Sequence, residues 1–247
     1  MSENNILVSD SSNVLSLTED LASNEYPGRG LMLGTTPDGT TSVLVYFIMG
    51  RSENSRNRVF VETEDGIRTE AFDPSKCSDP SLIIYHPIRE YNGKTIVTNG
   101  DQTDTIRDAL ADGMSYIEAL RTCRFEPDAP NFTSRISGVL NEDGSYDLSI
   151  LKYFHSDPDA CKRYFFEYDK PVKGRGHFLH TYLCNGDPLP FFLGEPKCVF
   201  VEDTPIDAFA DSVWEALNEQ NKISLFVRYI NMRTGEKQTV IKNKLQK

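Results

Sequence analysis

Hydrophobic and polar positions alternate along this chain with two periods, and the switches between them outline its elements. Thr41 to Ile48 is an almost unbroken apolar run of strand length, the pattern of a strand buried on both faces. A shorter strand, Leu31-Met32-Leu33-Gly34, precedes it. Thr36-Pro37-Asp38-Gly39 between the two is a hairpin signal, since proline presets the turn and glycine accepts positive φ. Val59 to Thr63 and Ile67 to Glu70 flank the turn Glu64-Asp65-Gly66. A strand is predicted over 82–86, and Asn92-Gly93 turns the chain into another at 94–98. Further strands are predicted at 133–140, 146–154, 161–168 and 177–183, and a terminal hairpin joins 223–231 to 238–241.

The period changes to that of a helix in three places. From 105 onward Ile106, Ala109, Leu110 and Gly113 share a face, with Asp or Thr of the Asn99-Gly100-Asp101-Gln102-Thr103-Asp104 segment available as cap. Helices are also predicted at 115–124 and at 205–219, the latter with Ile206, Phe209, Val213, Trp214 and Leu217 on one side. Residues 1–24 are polar, with weak helical periodicity through Val14, Leu15, Leu17 and Leu21. This order predicts an α+β chain of two antiparallel sheets with helices outside: an N-terminal arm, 1–25, and a single domain, 26–247.

Charge narrows the partners. A formal net charge of −11 over 247 residues disfavours nucleic acid, whose phosphates it repels. Five cysteines, odd in number and without C-x-x-C spacing, fit reduced thiols rather than a disulfide framework or a zinc site. His86, His155, His177 and His180 lack metal-ligand spacing, because residues three apart on a strand face opposite sides, so no metal is expected. No apolar run approaches the ~20 residues that span a bilayer. The N-terminus has no basic region and apolar core of a signal peptide, and the expectation is a cytoplasmic protein with no membrane partner.

Within an acidic chain, three arginines fall in eight residues where the Thr41–Ile48 run ends, at Arg51, Arg56 and Arg58. A guanidinium fork suits phosphate and carboxylate oxygens, so this stretch is either a small-anion site or a solvated turn. Other candidates are individually weak. Arg29 lies between two glycines, where a ligand could approach the backbone or where a turn simply starts a strand. Tyr85 is a core ring or a phenol at the rim of a site. Asn99-Gly100 opens a helix, which is an anion-binding position and also ordinary capping. Glu126-Pro127-Asp128 pairs two carboxylates, suited to acid–base work if burial raises one, and equally at home in an exposed loop.

Taken together, Gly28-Arg29, Arg51-Ser52 with Asn57-Arg58, Tyr85, Asn99-Gly100 with Thr103-Asp104-Thr105-Ile106, and Glu126-x-Asp128 with Arg135-Ile136 resemble the archaeal-type inosine monophosphate (IMP) cyclohydrolase family, in its longer bacterial branch. The resemblance covers roughly residues 26–140, and the Arg51–Arg58 stretch is longer here than the archaeal pattern. It implies the four-layer αββα sandwich of the N-terminal nucleophile hydrolases without N-terminal processing; the first strand starts near residue 29, behind the arm, so Ser2 is badly placed for a processed nucleophile. It further implies closure of 5-formamidoimidazole-4-carboxamide ribonucleotide to IMP with release of water, a purine nucleotide substrate, no cofactor, and assembly into a homo-oligomer. Carried over residue by residue, Arg58, Tyr85 and Glu126 would be catalytic. Arg29 and Arg51 would hold the phosphate, Asn99, Gly100 and Asp104 would contact ribose or base, and Asp128 would set the acidity of Glu126. Two other readings stand beside this one: an amidohydrolase of the same fold using Ser52, and a nucleotide-binding protein without chemistry.

Overall fold

The computed structural model describes residues 14–77, 80, 82–154 and 157–246. The first half of the arm, with Ser2, and His155 lie outside them. In chain order the elements are α1 (Leu17–Ser23), β1 (Arg29–Thr35), β2 (Thr41–Met49), α2 (Glu53–Arg56), β3 (Arg58–Thr63), β4 (Gly66–Ala71), β5 (Ile88–Tyr91), β6 (Lys94–Thr98), α3 (Gln102–Ala111) and α4 (Tyr116–Arg121). There follow β7 (Arg135–Leu140), β8 (Tyr146–Phe154), β9 (Asp157–Tyr168), β10 (Arg175–His180), β11 (Lys197–Phe200), α5 (Ile206–Ala216), β12 (Lys222–Asn231) and β13 (Lys237–Asn243). They form two antiparallel sheets, one ordered β11-β10-β1-β2-β12-β13 and the other β3-β4-β5-β6-β7-β8-β9.

The period of two along β2 divides the core. Leu44, Tyr46 and Ile48 point toward the second sheet, where they meet Phe60, Ile67, Ile88, Val97, Ile136 and Ile150. Val43, Val45, Phe47 and Met49 point the other way, into a cluster with Leu17 and Leu21 of α1 and Ile206, Ala210 and Val213 of α5. That is why the run has no polar alternation: both faces of β2 are covered, and each fully buried large apolar side chain contributes about 1.5–3 kcal/mol. On the far side of the second sheet, Ile106 and Ala109 of α3 and Tyr116, Ala119 and Leu120 of α4 cover Ile96, Val139 and Leu151. The chain is therefore α+β, two facing antiparallel sheets with helices on their outer faces. Among the described residues no helix is long and apolar enough to cross a membrane.

The structure corrects the sequence in several places. Residues 82–86 are not a ladder strand; the strand is β5, which starts after Pro87. The predicted segment is instead held to β4 through one residue, Thr69, whose N–H donates to Tyr85 O (2.9 Å) and whose hydroxyl donates to Ile83 O (2.7 Å). The helix expected from 105 begins at Gln102, and its cap residue Asp101 makes no capping bond, pairing with Arg135 at 2.8 Å instead. A short edge strand, β11, has no counterpart in the sequence reading. The arginine stretch contains a single helical turn, α2, capped by Ser52, whose hydroxyl accepts from Ser55 N at 3.1 Å.

Candidate active site

Strand ends converge at one end of the two sheets. β1 begins there with Arg29, β2 ends there at Met49, β3 begins with Arg58, and β7 begins with Arg135 just after the 126–133 loop. Between them lies a cavity of about 330 Å³ whose wall includes Tyr26, Arg29, Arg51, Ser52, Glu126, Asp128 and Tyr182.

Glu126 is 1% exposed, and its carboxylate has Arg29 Nη2 and Arg135 Nη1 each at 3.9 Å. These distances are too long for hydrogen bonds. Indeed Glu126 Oε1, Arg29 Nε and Arg58 Nη1 are buried without a hydrogen-bond partner among the described residues. Leaving such a group unsatisfied costs roughly 1–3 kcal/mol, so the two on the cavity wall, from Arg29 and Glu126, mark a place where a polar ligand completes the bonding. Burial pushes the Glu126 carboxyl above its usual range; Arg29 and Arg135 pull it back, and Asp128 adds to the rise. Burial likewise lowers the Arg58 guanidinium, with Arg29 repelling it. For Arg29 burial also works against the charge, but Glu126 and its other neighbours more than offset it, and the net direction is upward.

Arg58 is fully enclosed, behind the residues that line the cavity and near enough to Arg29, Tyr85 and Glu126 to interact with them electrostatically. α2 presents Ser55, whose carbonyl accepts from Arg58 Nε (2.7 Å) and whose hydroxyl accepts from Nη2 (2.9 Å). Tyr85 is buried at the end of its Thr69 tether, its hydroxyl 2.9 Å from that of Tyr46 on β2. Asp128 accepts from Thr133 N at 2.6 Å and from the Thr133 hydroxyl, and Thr133 Oγ1 in turn meets Tyr182 Oη at 2.5 Å. Gly28, at φ +81°, runs so close to Tyr182 that a Cβ there would lie 2.4 Å from its ring.

Arg29, Arg58, Tyr85, Glu126 and Asp128 are thus brought together. Arg51 stands exposed at the rim, donating to Asn185 Oδ1 (3.0 Å) and Gly186 O (2.8 Å) and lying over the Tyr26 ring. Asn99 is committed to the backbone, giving to Ser134 O (2.9 Å) and accepting from Ile136 N (2.8 Å). Gly100 makes room: a Cβ there would fall 1.3 Å from Arg135 Nη1. Asp104, on α3, pairs with Arg89 at 2.9 Å rather than reaching the cavity wall. Tyr26, Tyr46, Thr133, Arg135 and Tyr182 belong to the site as well. Of these the sequence offered a signal only for Arg135, inside a matched motif.

The sequence profile of the family described as IMP cyclohydrolase-like protein matches residues 26–236. The chain belongs to this family. Relatives named IMP cyclohydrolase include one from Methanopyrus kandleri, 33% identical over 165 residues that span 64% of this chain and 75% of the relative. One from Methanococcus aeolicus is 30% identical over 164 residues, 64% of this chain and 75% of that protein. One from Methanococcus maripaludis strain C7 is 30% identical over 168 residues, 65% and 76%. The family match includes β10, Tyr182 and all of β12, beyond the 26–140 region where motifs are visible by eye.

Proposed function

We propose that this protein is an IMP cyclohydrolase, closing 5-formamidoimidazole-4-carboxamide ribonucleotide to IMP with release of water in purine biosynthesis. Membership of the family and the names of its relatives support the reaction. The observation that carries it at the level of residues is the buried, mutually unsatisfied Arg29–Glu126 pair in a cavity of about 330 Å³. Carboxamide nitrogen and formyl carbon belong to one molecule, so holding them face to face supplies much of the rate. What remains is proton movement and a developing oxyanion. Glu126, raised by burial, is suited to shuttle protons. Tyr85 donates to the oxyanion, and Arg58 anchors it electrostatically. Asp128 helps hold Glu126 up.

The sequence expectation put Arg29 at the phosphate. Its place beside Glu126 supports the reacting end instead, and leaves Arg51 at the rim for the dianion. Asn99, Gly100 and Asp104, expected at ribose or base, support the strand–helix junction against which Arg135 packs. We further propose the four-layer αββα arrangement of N-terminal nucleophile hydrolases without N-terminal processing, in one domain over 26–247 on which the arm packs. A cofactor-free enzyme working in the cytoplasm completes the reading.

The test is direct. The purified protein is given the formamido ribonucleotide, and IMP is followed by the absorbance change of ring closure. Formation far above the uncatalysed rate supports the proposal; binding of IMP with no acceleration would instead make this a nucleotide-binding protein.

A further inference from the structure

Tyr182, Thr133 and Asp128 form a hydrogen-bonded chain with a fixed direction. The Asp128 carboxylate can only accept, and its Oδ2 takes the Thr133 hydroxyl proton. That uses the single proton on Thr133, so Tyr182 Oη, 2.5 Å from Thr133 Oγ1, must be the donor in the next link. The Tyr182 proton therefore points to Thr133, and its oxygen lone pairs remain for whatever occupies the site. Both ends lie on the cavity wall: Tyr182 is 2% exposed, beside Arg29 and Glu126, and Asp128 is half-buried and the more open to solvent.

We propose that Tyr182–Thr133–Asp128 is a proton wire that removes the carboxamide proton during ring closure and delivers it to the more exposed Asp128. This rests on the cyclohydrolase reading of the same site. As the carboxamide nitrogen bonds to the formyl carbon, its proton passes to Tyr182 Oη, the Tyr182 proton to Thr133 Oγ1, and the Thr133 proton to Asp128 Oδ2. Glu126 protonates the formyl oxygen. It then carries the formamido nitrogen's proton to the departing hydroxyl, so that the C–O bond breaks, water leaves and the C=N bond forms. Asp128 releases its proton to solvent, and one from solvent restores Glu126.

A wire solves a specific difficulty. Burial pushes the Tyr182 phenol up to about 12, so a tyrosinate is not a usable base near neutrality. A concerted shift never forms one, since the negative charge starts and the proton ends on a carboxylate. Rigidity serves the same end: the Tyr182 ring stacks on Tyr26 at 5.8 Å, its N–H donates to Pro27 O at 3.1 Å, and Thr133 N also holds Asp128. Tyr182 is then a catalytic residue, with Thr133 and Asp128 positioning and relaying behind it.

The experiment compares wild type, Tyr182→Phe, Thr133→Val, Thr133→Ser and the Tyr182→Phe/Thr133→Val double variant on the formamido ribonucleotide. Melting curves and IMP affinity are measured alongside. General base catalysis is worth about 10²–10⁴-fold, so Tyr182→Phe and Thr133→Val should each lower kcat at least tenfold with KM little changed. The double variant should fall no further than either single, and Thr133→Ser, which restores the hydroxyl, should regain most of the rate. Unchanged kcat in folded Tyr182→Phe would overturn the wire, as would additive losses or a Thr133→Ser variant as slow as Thr133→Val. If wild type itself forms no IMP, the cyclohydrolase reading falls and takes the wire with it. Wild-type turnover with unmoved variants sinks the wire alone.

Discussion

Arg29 Nη2 lies 3.9 Å from Glu126 Oε2 inside the protein, close enough to interact and too far to bond. A structural ion pair normally closes such a gap, because desolvated charges that stop short of each other keep the cost of burial without its return. The arrangement is better explained as a site built to the dimensions of a third group.

Arg135 reaches Glu126 only because residue 100 has no side chain. Gly100→Ala would put a Cβ 1.3 Å from Arg135 Nη1, forcing the guanidinium aside. Overpacking of this kind costs about 1–3 kcal/mol, and the displaced charge also leaves Glu126. The expected outcome is a lower melting temperature together with lost turnover. A variant as stable and active as wild type would show that Arg135 has another route to its position.

Tyr46 stands behind Tyr85. The two hydroxyls are 2.9 Å apart in a buried setting, and burial raises the Tyr46 phenol well above its ordinary range, so it remains a neutral partner. Tyr46→Phe keeps the ring packing on Phe60 and removes one hydrogen bond, worth about 0.5–1.5 kcal/mol. Turnover should fall by up to about tenfold, with nucleotide binding kept, in steady-state assays.

Ser52 separates the rival amidohydrolase from the cyclohydrolase. Its hydroxyl caps α2, which presents Ser55 to Arg58. Ser52→Ala should loosen that turn by about 0.5–2 kcal/mol and reduce turnover only in part. Complete loss of activity in a variant that still binds nucleotide would point to a serine nucleophile.

Acid should weaken the fold at a position tied to the site. His180 is fully buried, its Nδ1 bonds Tyr182 O at 2.8 Å, and burial lowers its imidazole from 6.5 to about 4, with Lys197 adding to the shift. Between these values the unfolded chain binds a proton that the native state refuses. Stability therefore rises with pH across the window and is lost as pH falls from 6.5 to about 4, by roughly 3 kcal/mol for this one group. His177, also lowered by burial to about 4, acts in the same sense. Urea unfolding at neutral pH and at about pH 5 should show the difference, and imidazole resonances should titrate far below the ordinary histidine range. Flat stability with ordinary titration would contradict the burial argument.

The legibility of the chain follows its physics. β2 and its hairpin could be read because a strand covered on both faces has no polar positions to confuse the pattern. The 82–86 segment misleads because Ile83 and Tyr85 are buried through a tether to Thr69 rather than through a ladder, and composition does not distinguish the two. β11 has four residues, too short to show alternation. In the site, Arg29, Arg58, Tyr85 and Glu126 were accessible because they sit in short ordered motifs. Tyr46 was hidden inside an apolar run, where a tyrosine reads as a core ring. Tyr182 and Thr133 are far apart in sequence and meet only because β10 ends where β7 begins.

Glu126 carries the central claim, and its amide tests it most directly. Glu126→Gln keeps the shape of the side chain and removes its proton chemistry. Kinetics and nucleotide binding measured on the same preparation should show turnover of the formamido ribonucleotide reduced by about 10²–10⁴-fold while IMP still binds. Full turnover in Glu126→Gln would remove Glu126 from the mechanism and, with it, this account of the cavity.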